Sequence, residues 1–282
     1  MIYYQLTKIL DRTKKLEASM KKHFSVFSLF TVMICCVVLC GCATAQPRIT
    51  QVAIIDTLLC GMYDGSATVG QLKSWGNIGI GTMHQLDGEM LVVDGVVYQV
   101  KYDGSVNRPA DSETIPFATV VNFVPTKKIQ LANIKSFKDF EKQVPQYIAN
   151  RNVPVAVRFT GKFASMHTRS VERQKKPYRP LIEASKNQAE FKFKNISGNM
   201  VGFLFPKYVK GMNVPGWHLH FIDKDRRCGG HILDFSMLNG ELEICEIYDF
   251  RAIFPAGSDH LAKLDLNKDR GQELKKVESS RQ

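Results

Sequence analysis

The feature that most constrains this chain is a histidine-rich stretch, Trp217-His218-Leu219-His220-Phe221, followed after a short gap by Gly229-Gly230-His231. Because His218 and His220 are two residues apart, their side chains leave the same face of a β-strand. The polar run 223–227 has the length and composition of a hairpin turn, which would place His231 on the partner strand. The stretch therefore predicts an antiparallel hairpin that brings three imidazoles together.

Three imidazoles that leave one coordination position open are typical of a catalytic zinc site, whereas structural zinc sites are closed by four protein ligands. The two glycines before His231 allow the backbone to bend or to approach another strand closely. The alternative is that the three histidines are packed or exposed side chains without a metal. Spacing favours a metal site on His218, His220 and His231.

This stretch resembles the zinc signature of the bacterial alpha-acetolactate decarboxylases. Six further segments resemble the same family and occur in the family's order, so that the resemblance covers roughly residues 52 to 279. They are Gly61-Met62-Tyr63-Asp64-Gly65, Gly79-Ile80-Gly81-Thr82, Leu86-Asp87-Gly88-Glu89-Met90, Val93-Asp94-Gly95, His167-Thr168-Arg169 and Val201-Gly202-Phe203-Leu204.

The resemblance implies a reaction and a set of partners. The reaction is the zinc-dependent decarboxylation of 2-acetolactate (2-hydroxy-2-methyl-3-oxobutanoate) to acetoin and CO₂ through a metal-stabilised enediolate, in acetoin and butanediol biosynthesis. The partner is a small 2-hydroxy-3-keto acid, and family members are commonly homodimers. The resemblance also implies Zn²⁺ as the cofactor, on the three histidines.

The resemblance also assigns roles to residues that would otherwise be read differently. Glu89 follows a turn and would be read as a solvated acid, and Arg169 as a salt-bridge residue. By resemblance, Glu89 and Glu278 position the substrate hydroxyl and move protons, Arg169 recognises the carboxylate or helps deliver the proton, and Thr82 lines the pocket. Glu273 is the alternative tail glutamate, and the final proton donor stays open.

Two other classes of protein remain as alternatives. One is another exported mononuclear metalloenzyme, either a cupin-like oxygenase or a zinc hydrolase. Cupins usually add a glutamate four or five residues after the second histidine, where this chain has Lys224 and Asp225. The other alternative is a non-catalytic metal-binding protein of the cell envelope.

Hydrophobic periodicity predicts a β-rich α+β fold with two packed β-sheet lobes. We expect a mixed sheet with a few helices in residues 46–188, a mainly antiparallel sheet with the metal site in 189–260, and a charged tail in 261–282. Two helices are predicted, one over Ala67–Trp75 and one capped by Ser136. Turns are predicted at four pairs: Asp87-Gly88, Asp94-Gly95, Ser197-Gly198 and Asn239-Gly240.

The first 45 residues are predicted to be a leader and not part of the fold. Met20-Lys21-Lys22 precedes an apolar run over residues 24–40, the pattern of a signal peptide, so the protein is expected to be exported. Two processing sites stay open, one before Gln46 and one that would leave Cys42 as a lipid anchor. The start is also open between Met1 and Met20.

The positive net charge does not predict nucleic-acid binding. The formal charge of the chain is +11, but outside the leader 32 basic residues face 25 acidic ones. The basic residues are scattered and form no stripe interleaved with aromatic residues, the pattern expected of a nucleic-acid surface. A modest positive field favours an anionic small substrate instead.

Overall fold

The computed structural model describes residues 46–278, together with Leu16 and Met20. The chain from Gln46 onward clusters as one compact unit. Apart from Leu16 and Met20, the predicted leader, including Cys42, lies outside the described residues. Within the described part of the chain, no helix combines the length and the apolar character needed to span a bilayer.

Strands dominate the chain between residues 46 and 278. Fourteen strands are found there: β1 Arg48–Val52, β2 Ala67–Thr68, β3 Ile78–Thr82, β4 Glu89–Val93, β5 Val96–Val100, β6 Val106–Asn107, β7 Thr114–Ile115, β8 Phe117–Val121, β9 Lys127–Ile134, β10 Val155–Ser170, β11 Ala189–Phe205, β12 Gly216–Asp223, β13 Gly229–Glu246 and β14 Asp249–Ile253. The six helices of this region are short: α1 Ile55–Leu59, α2 Val69–Trp75, α3 Phe137–Gln143, α4 Leu181–Ala184, α5 Asp259–Ala262 and α6 Gly271–Glu278.

The first large sheet is mixed and has the order β14-β1-β8-β3-β4-β5-β6, in which only the β1–β14 pair is parallel. The predicted hairpin turn at Asp94-Gly95 joins β4 to β5, and both residues have the left-handed φ of a type I′ turn. The turn predicted at Asp87-Gly88 is instead the end of a longer connection from β3 to β4, because a 3₁₀ turn at His84–Leu86 precedes it.

The second large sheet is antiparallel throughout and has the order β10-β11-β12-β13-β9. β13 also pairs with β10, so that β10, β11, β12 and β13 form a closed ring of pairings. A closed ring leaves no free edge among these four strands, which makes it a rigid frame for side chains. β10, one of the longest strands of this sheet, carries Arg169 near its end.

The turns predicted at Ser197-Gly198 and Asn239-Gly240 are wrong, because β11 and β13 run through these positions. Gly198 and Gly240 both lie opposite Gly161 of β10. A Cβ atom on Gly198 would lie 2.3 Å from the carbonyl oxygen of Ile222, and one on Gly240 would lie 2.5 Å from that of Thr160. These glycines permit a close approach of neighbouring strands, which is the other common role of glycine in a sheet.

The two sheets pack face to face through one buried apolar layer. Its members from the first sheet include Ile49, Ile80 and Leu91, and those from the second include Val201, Phe203 and Ile222. The predicted β-rich α+β class, with a mixed sheet and an antiparallel sheet that carries the histidines, is confirmed.

Sheet membership crosses the boundary predicted at residue 188. β9 and β10 precede that residue but belong to the second sheet, while β14 follows it and pairs with β1 of the first. Such pairings join residues far apart in the chain, and no local pattern of residue types records them.

Both predicted helices are present, although the one predicted over Ala67–Trp75 begins two residues later, at Val69, because Ala67 and Thr68 form strand β2. Thr68 and Gln71 form a reciprocal capping box on α2, and the Ser136 hydroxyl accepts a hydrogen bond from the Asp139 amide at the start of α3. α1, α4 and α6 share one apolar cluster, which includes buried Leu58, Leu181 and Leu274. This cluster lies beside the pocket described next.

Candidate active site

The three predicted histidines converge on one buried point. His218 and His220 lie on β12, His231 lies on β13, and His220 and His231 are direct cross-strand partners. One ring nitrogen from each histidine lies within 4.8 Å of those of the other two. All three side chains are buried, His220 almost completely. The turn at residues 223–227 therefore brings His231 to the pair, as the spacing predicts.

The chemistry of the three imidazoles suits a divalent metal. Nδ1 of His220 lies 2.9 Å from the carbonyl oxygen of Met90, which accepts the Nδ1 proton and leaves the Nε2 lone pair free. That Nε2 atom is buried and has no hydrogen-bond partner. Burial lowers the pKa of all three imidazoles, most strongly for His220 and His231, so that they are neutral near pH 7. Neutral imidazoles with buried, unsatisfied nitrogens fit a zinc-type ion.

Two carboxylates border the histidine cluster. Oε2 of Glu89, at the start of β4, lies 3.6 Å from Nε2 of His220. Oε2 of Glu278, at the end of α6, lies 3.5 Å from Nε2 of His231 and 4.0 Å from Nε2 of His218. Burial raises the pKa of Glu89 to about 7; Arg169 opposes this rise and Glu278 adds to it. The cluster thus includes one carboxyl group that can gain or lose a proton near neutral pH.

Arg169 is buried on β10, where it is the cross-strand partner of His231. Its Nη1 donates to the side-chain oxygen of Gln188 at 2.9 Å and to the carbonyl oxygen of Val277. Nη2 lies 3.9 Å from Oε1 of Glu278, and Nε has no hydrogen-bond partner. The Nε–Nη2 edge, the fork that binds a carboxylate with two parallel hydrogen bonds, is therefore the less occupied edge of the guanidinium.

The tail helix supplies Glu278 because its apolar side is buried. Leu274 and Val277 pack into the cluster shared with α1 and α4, and Glu278 follows directly. Glu273 lies on the same helix but is 3.7 Å from Lys268, on a partly exposed side. The structure therefore places Glu278, and not the alternative Glu273, beside the histidines.

The pocket around these groups draws residues from both sheets and from three helices. Thr82 of β3 lines it, and its hydroxyl donates to the carbonyl oxygen of Gly88 at 2.7 Å. Much of the remaining wall is apolar: Ile55, Leu58, Leu86, Phe117, Val171 and Leu181. An apolar wall around a few convergent polar groups is typical of a small-molecule site.

Some of the pocket's partners could not be predicted from the sequence. Gln188 contacts Arg169 through a side chain that nothing in its local sequence distinguishes. Met90 and Val277 contribute carbonyl oxygens, which every residue has, so residue type carries no signal there. Cys228 lies close to these histidines in the sequence, but it is not a member of the three-histidine cluster.

The fold and the pocket are those of a β-rich α+β enzyme. Its site is a cluster of polar groups within a largely apolar pocket, which residues of both sheets and of three helices line. The chain belongs to the alpha-acetolactate decarboxylase family, whose family model matches residues 49–268. It is thus an enzyme of the carboxy-lyase class. This membership favours a decarboxylase over the cupin-like, hydrolase and non-catalytic alternatives.

Named relatives and a solved structure agree with the family model. An alpha-acetolactate decarboxylase from Methanosarcina mazei is 41% identical over 234 residues, which is 83% of this chain and 81% of the relative. One from Bacillus subtilis is 36% identical over 234 residues, covering 83% of this chain and 91% of the relative. The crystal structure of alpha-acetolactate decarboxylase from Bacillus subtilis strain 168 superposes with a TM-score of 0.80 at 34% identity, covering 83% of this chain and all of that one.

Proposed function

We propose that this protein decarboxylates 2-acetolactate to acetoin and CO₂, with a zinc ion held by His218, His220 and His231. The observation that carries the proposal is the pairing of a three-imidazole cluster with a guanidinium whose carboxylate-binding edge has no described hydrogen bond. The substrate has the matching groups, namely a carboxylate, a ketone and a tertiary hydroxyl. Membership of the alpha-acetolactate decarboxylase family supports this choice of substrate.

The reaction breaks one carbon–carbon bond and consumes one proton. Loss of CO₂ leaves an electron pair on the carbon that bore the carboxylate, and this pair delocalises into the neighbouring ketone as an enediolate. A proton added to that carbon then gives acetoin. Zinc would supply Lewis-acid polarisation of the ketone and hydroxyl oxygens when bound.

Arg169 is the residue that binds and orients the carboxylate in this proposal. Its Nε–Nη2 edge offers two donors in the planar geometry that a carboxylate accepts. Since the carboxylate leaves as neutral CO₂, this interaction contributes mainly to binding of the substrate and less to the transition state. The apolar wall excludes water, which strengthens the ion pair.

Glu89 and Glu278 are the residues that hold and move protons. Both carboxyl groups reach imidazole nitrogens within 4.0 Å, so both border any substrate that lies against the histidines. Each is placed to accept the proton of the substrate hydroxyl, and either can return a proton to carbon. Thr82 contributes to the wall, its hydroxyl being engaged by Gly88.

The proposal extends to the cellular setting. Acetoin formation places the reaction in acetoin and butanediol biosynthesis. The charged start and apolar run within residues 20–40 support export, with cleavage before Gln46 or lipidation of Cys42 as the two routes. A homodimer is proposed from the resemblance to the family.

The test combines metal analysis with turnover. The purified full chain is analysed for bound metal and is given racemic acetolactate while CO₂ and acetoin are followed. We expect about one zinc per chain and acetoin release that a chelator abolishes. The variant Arg169→Ala should keep its zinc and raise KM. Zinc without turnover would refute the decarboxylase assignment and direct attention to ester and lactone substrates.

A further inference from the structure

Gln188 connects Arg169 to two polar side chains outside the pocket. Its amide oxygen accepts from Nη1 of Arg169 at 2.9 Å, and its amide nitrogen donates to Oε1 of Glu190 at 2.9 Å. The other oxygen of Glu190 lies 2.9 Å from Nε2 of His167. Four side chains thus form a continuous hydrogen-bonded series from the buried guanidinium to the partly exposed His167.

The charges of its two partners, Arg169 and Glu190, determine the orientation of the Gln188 amide. Burial acts to raise the pKa of Glu190, but hydrogen bonds from Gln188 and His167 outweigh it and lower that pKa, so the group is an ionised carboxylate near pH 7. A carboxylate only accepts hydrogen bonds and a guanidinium only donates them. The amide nitrogen must therefore face Glu190 and the amide oxygen must face Arg169.

A neutral amide at this position has a specific advantage. It holds one nitrogen of the guanidinium without adding a carboxylate to that of Glu278, whereas a carboxylate there would form a second ion pair and compete with an anionic substrate. The carbonyl oxygen of Val277 holds the same Nη1 atom from the tail helix. Together these two acceptors occupy Nη1 and leave the Nε–Nη2 edge without a described hydrogen bond; on that edge Oε1 of Glu278 lies 3.9 Å from Nη2.

We infer that Gln188 is a positioning residue, which orients Arg169 so that its Nε–Nη2 edge receives the substrate carboxylate. This inference rests on the proposed function, because it takes Arg169 as the carboxylate-binding group. Gln188 lies outside the histidine cluster and does not line the pocket, which it reaches through its hydrogen bond to Arg169. Its loss should therefore weaken substrate binding and leave both the bound metal and the bond-breaking step intact.

The central comparison is between Gln188→Met and Gln146→Met. Gln188→Met keeps the length of the side chain and removes both hydrogen bonds, while Gln146 is an exposed glutamine whose amide contacts only the Gln143 carbonyl among the described bonds. We expect Gln188→Met to raise KM about tenfold and to change kcat by less than about twofold, with zinc content and melting temperature retained. Gln146→Met should match the wild type.

Exchanging the amide and the carboxylate between positions 188 and 190 distinguishes a positioning role of Gln188 from a nonspecific loss of structure. Gln188→Glu faces the Glu190 carboxylate with another carboxylate, so its KM should rise more than that of Gln188→Met. Adding Glu190→Gln restores a hydrogen bond between the two positions, because the new amide at 190 can donate to the new carboxylate at 188. The double variant should therefore have a lower KM than Gln188→Glu alone, a rescue that nonspecific loss of structure does not produce.

A second readout does not depend on turnover. If the hydrogen bonds of Nη1 restrict rotation of the Arg169 guanidinium, its Nη signals should be resolved in the nitrogen-15 NMR spectrum. Gln188→Met should broaden these signals, and Gln146→Met should not. If the wild type fails to release CO₂ from acetolactate, the proposed function is wrong, and these signals still test the role of Gln188. Wild-type KM in Gln188→Met, or unchanged Arg169 signals, would overturn the inference.

Discussion

The pocket is built from two regions of very different character, the β12–β13 hairpin and the tail helix α6. The hairpin belongs to a closed ring of strands. The two residues that follow His220 in it, Phe221 and Ile222, are fully buried. The helix has eight residues and is held by two buried side chains, Leu274 and Val277, with exposed ion pairs near its start. One region carries the histidines, and the other carries Glu278.

The two parts of the site therefore differ in stability. Helices as short as α6 are unstable alone in water, so Glu278 is in place only while the helix is docked. Opening a terminal helix costs less free energy than opening a ring of strands. The histidine cluster is therefore a lasting feature of the fold, whereas the second carboxylate and the Val277 contact to Arg169 depend on docking.

The largest effect is expected from removing one histidine of the hairpin. His220→Ala deletes a nitrogen that is almost fully buried, so bound zinc and activity should disappear together, with kcat/KM falling on the order of 10³-fold or more. Metal analysis and CO₂ release check this. His260→Ala, an exposed histidine on α5, is the control. Wild-type activity in His220→Ala would refute the ligand assignment.

The next prediction tests the rigidity of the hairpin frame. Gly230 has φ +130°, and a Cβ atom there would lie 2.4 Å from the carbonyl oxygen of Arg169. Gly230→Ala should therefore lower the free energy of unfolding by about 3 kcal/mol, measured by denaturant titration. Gly216→Ala, at φ +95° with open space around it, should cost only about 1 kcal/mol. Equal costs would mean that the strands near Arg169 separate easily.

A third pair of variants tests the tail helix. Glu278→Gln removes the carboxylate beside His231, so kcat/KM should fall by roughly 10²-fold while zinc stays bound to the histidines. Glu273→Gln changes the same residue type on the same helix, beside Lys268, and should act like the wild type. Steady-state kinetics with metal analysis distinguish the two. A larger loss in Glu273→Gln would mean that the helix docks in another register.

The smallest effect is expected at the exposed ion pair before the helix. Lys210 lies 2.6 Å from Asp269, and both side chains are at least half exposed to solvent. Lys210→Ala should thus cost less than about 0.5 kcal/mol and leave kcat/KM nearly unchanged. Leu274→Ala should lower kcat/KM far more, because docking depends on apolar burial. The opposite ranking would show that charge holds the helix.

Local patterns predict well those features that local physics controls. The spacing of His218, His220 and His231 around a polar turn is enough to predict a hairpin with clustered imidazoles. Ser136 caps its helix because a serine hydroxyl satisfies a free amide, whatever the rest of the fold. The turns predicted at Gly198 and Gly240 are wrong, because glycine is common both in turns and where two strands approach closely. Only the neighbouring strand distinguishes these two cases.

The strand-rich class and the histidine hairpin could be predicted from the sequence, since both follow from alternation and spacing along the chain. The candidate polar residues Thr82, Glu89, Arg169 and Glu278 were indicated only by the resemblance to a known family. Three other features depend on the tertiary fold: β9 and β10 join the second sheet, Glu278 rather than Glu273 lies beside the histidines, and Gln188 holds Arg169. The physical reason is that these are contacts between residues distant in sequence. Their free energy depends on burial and packing, which no single stretch of residues specifies.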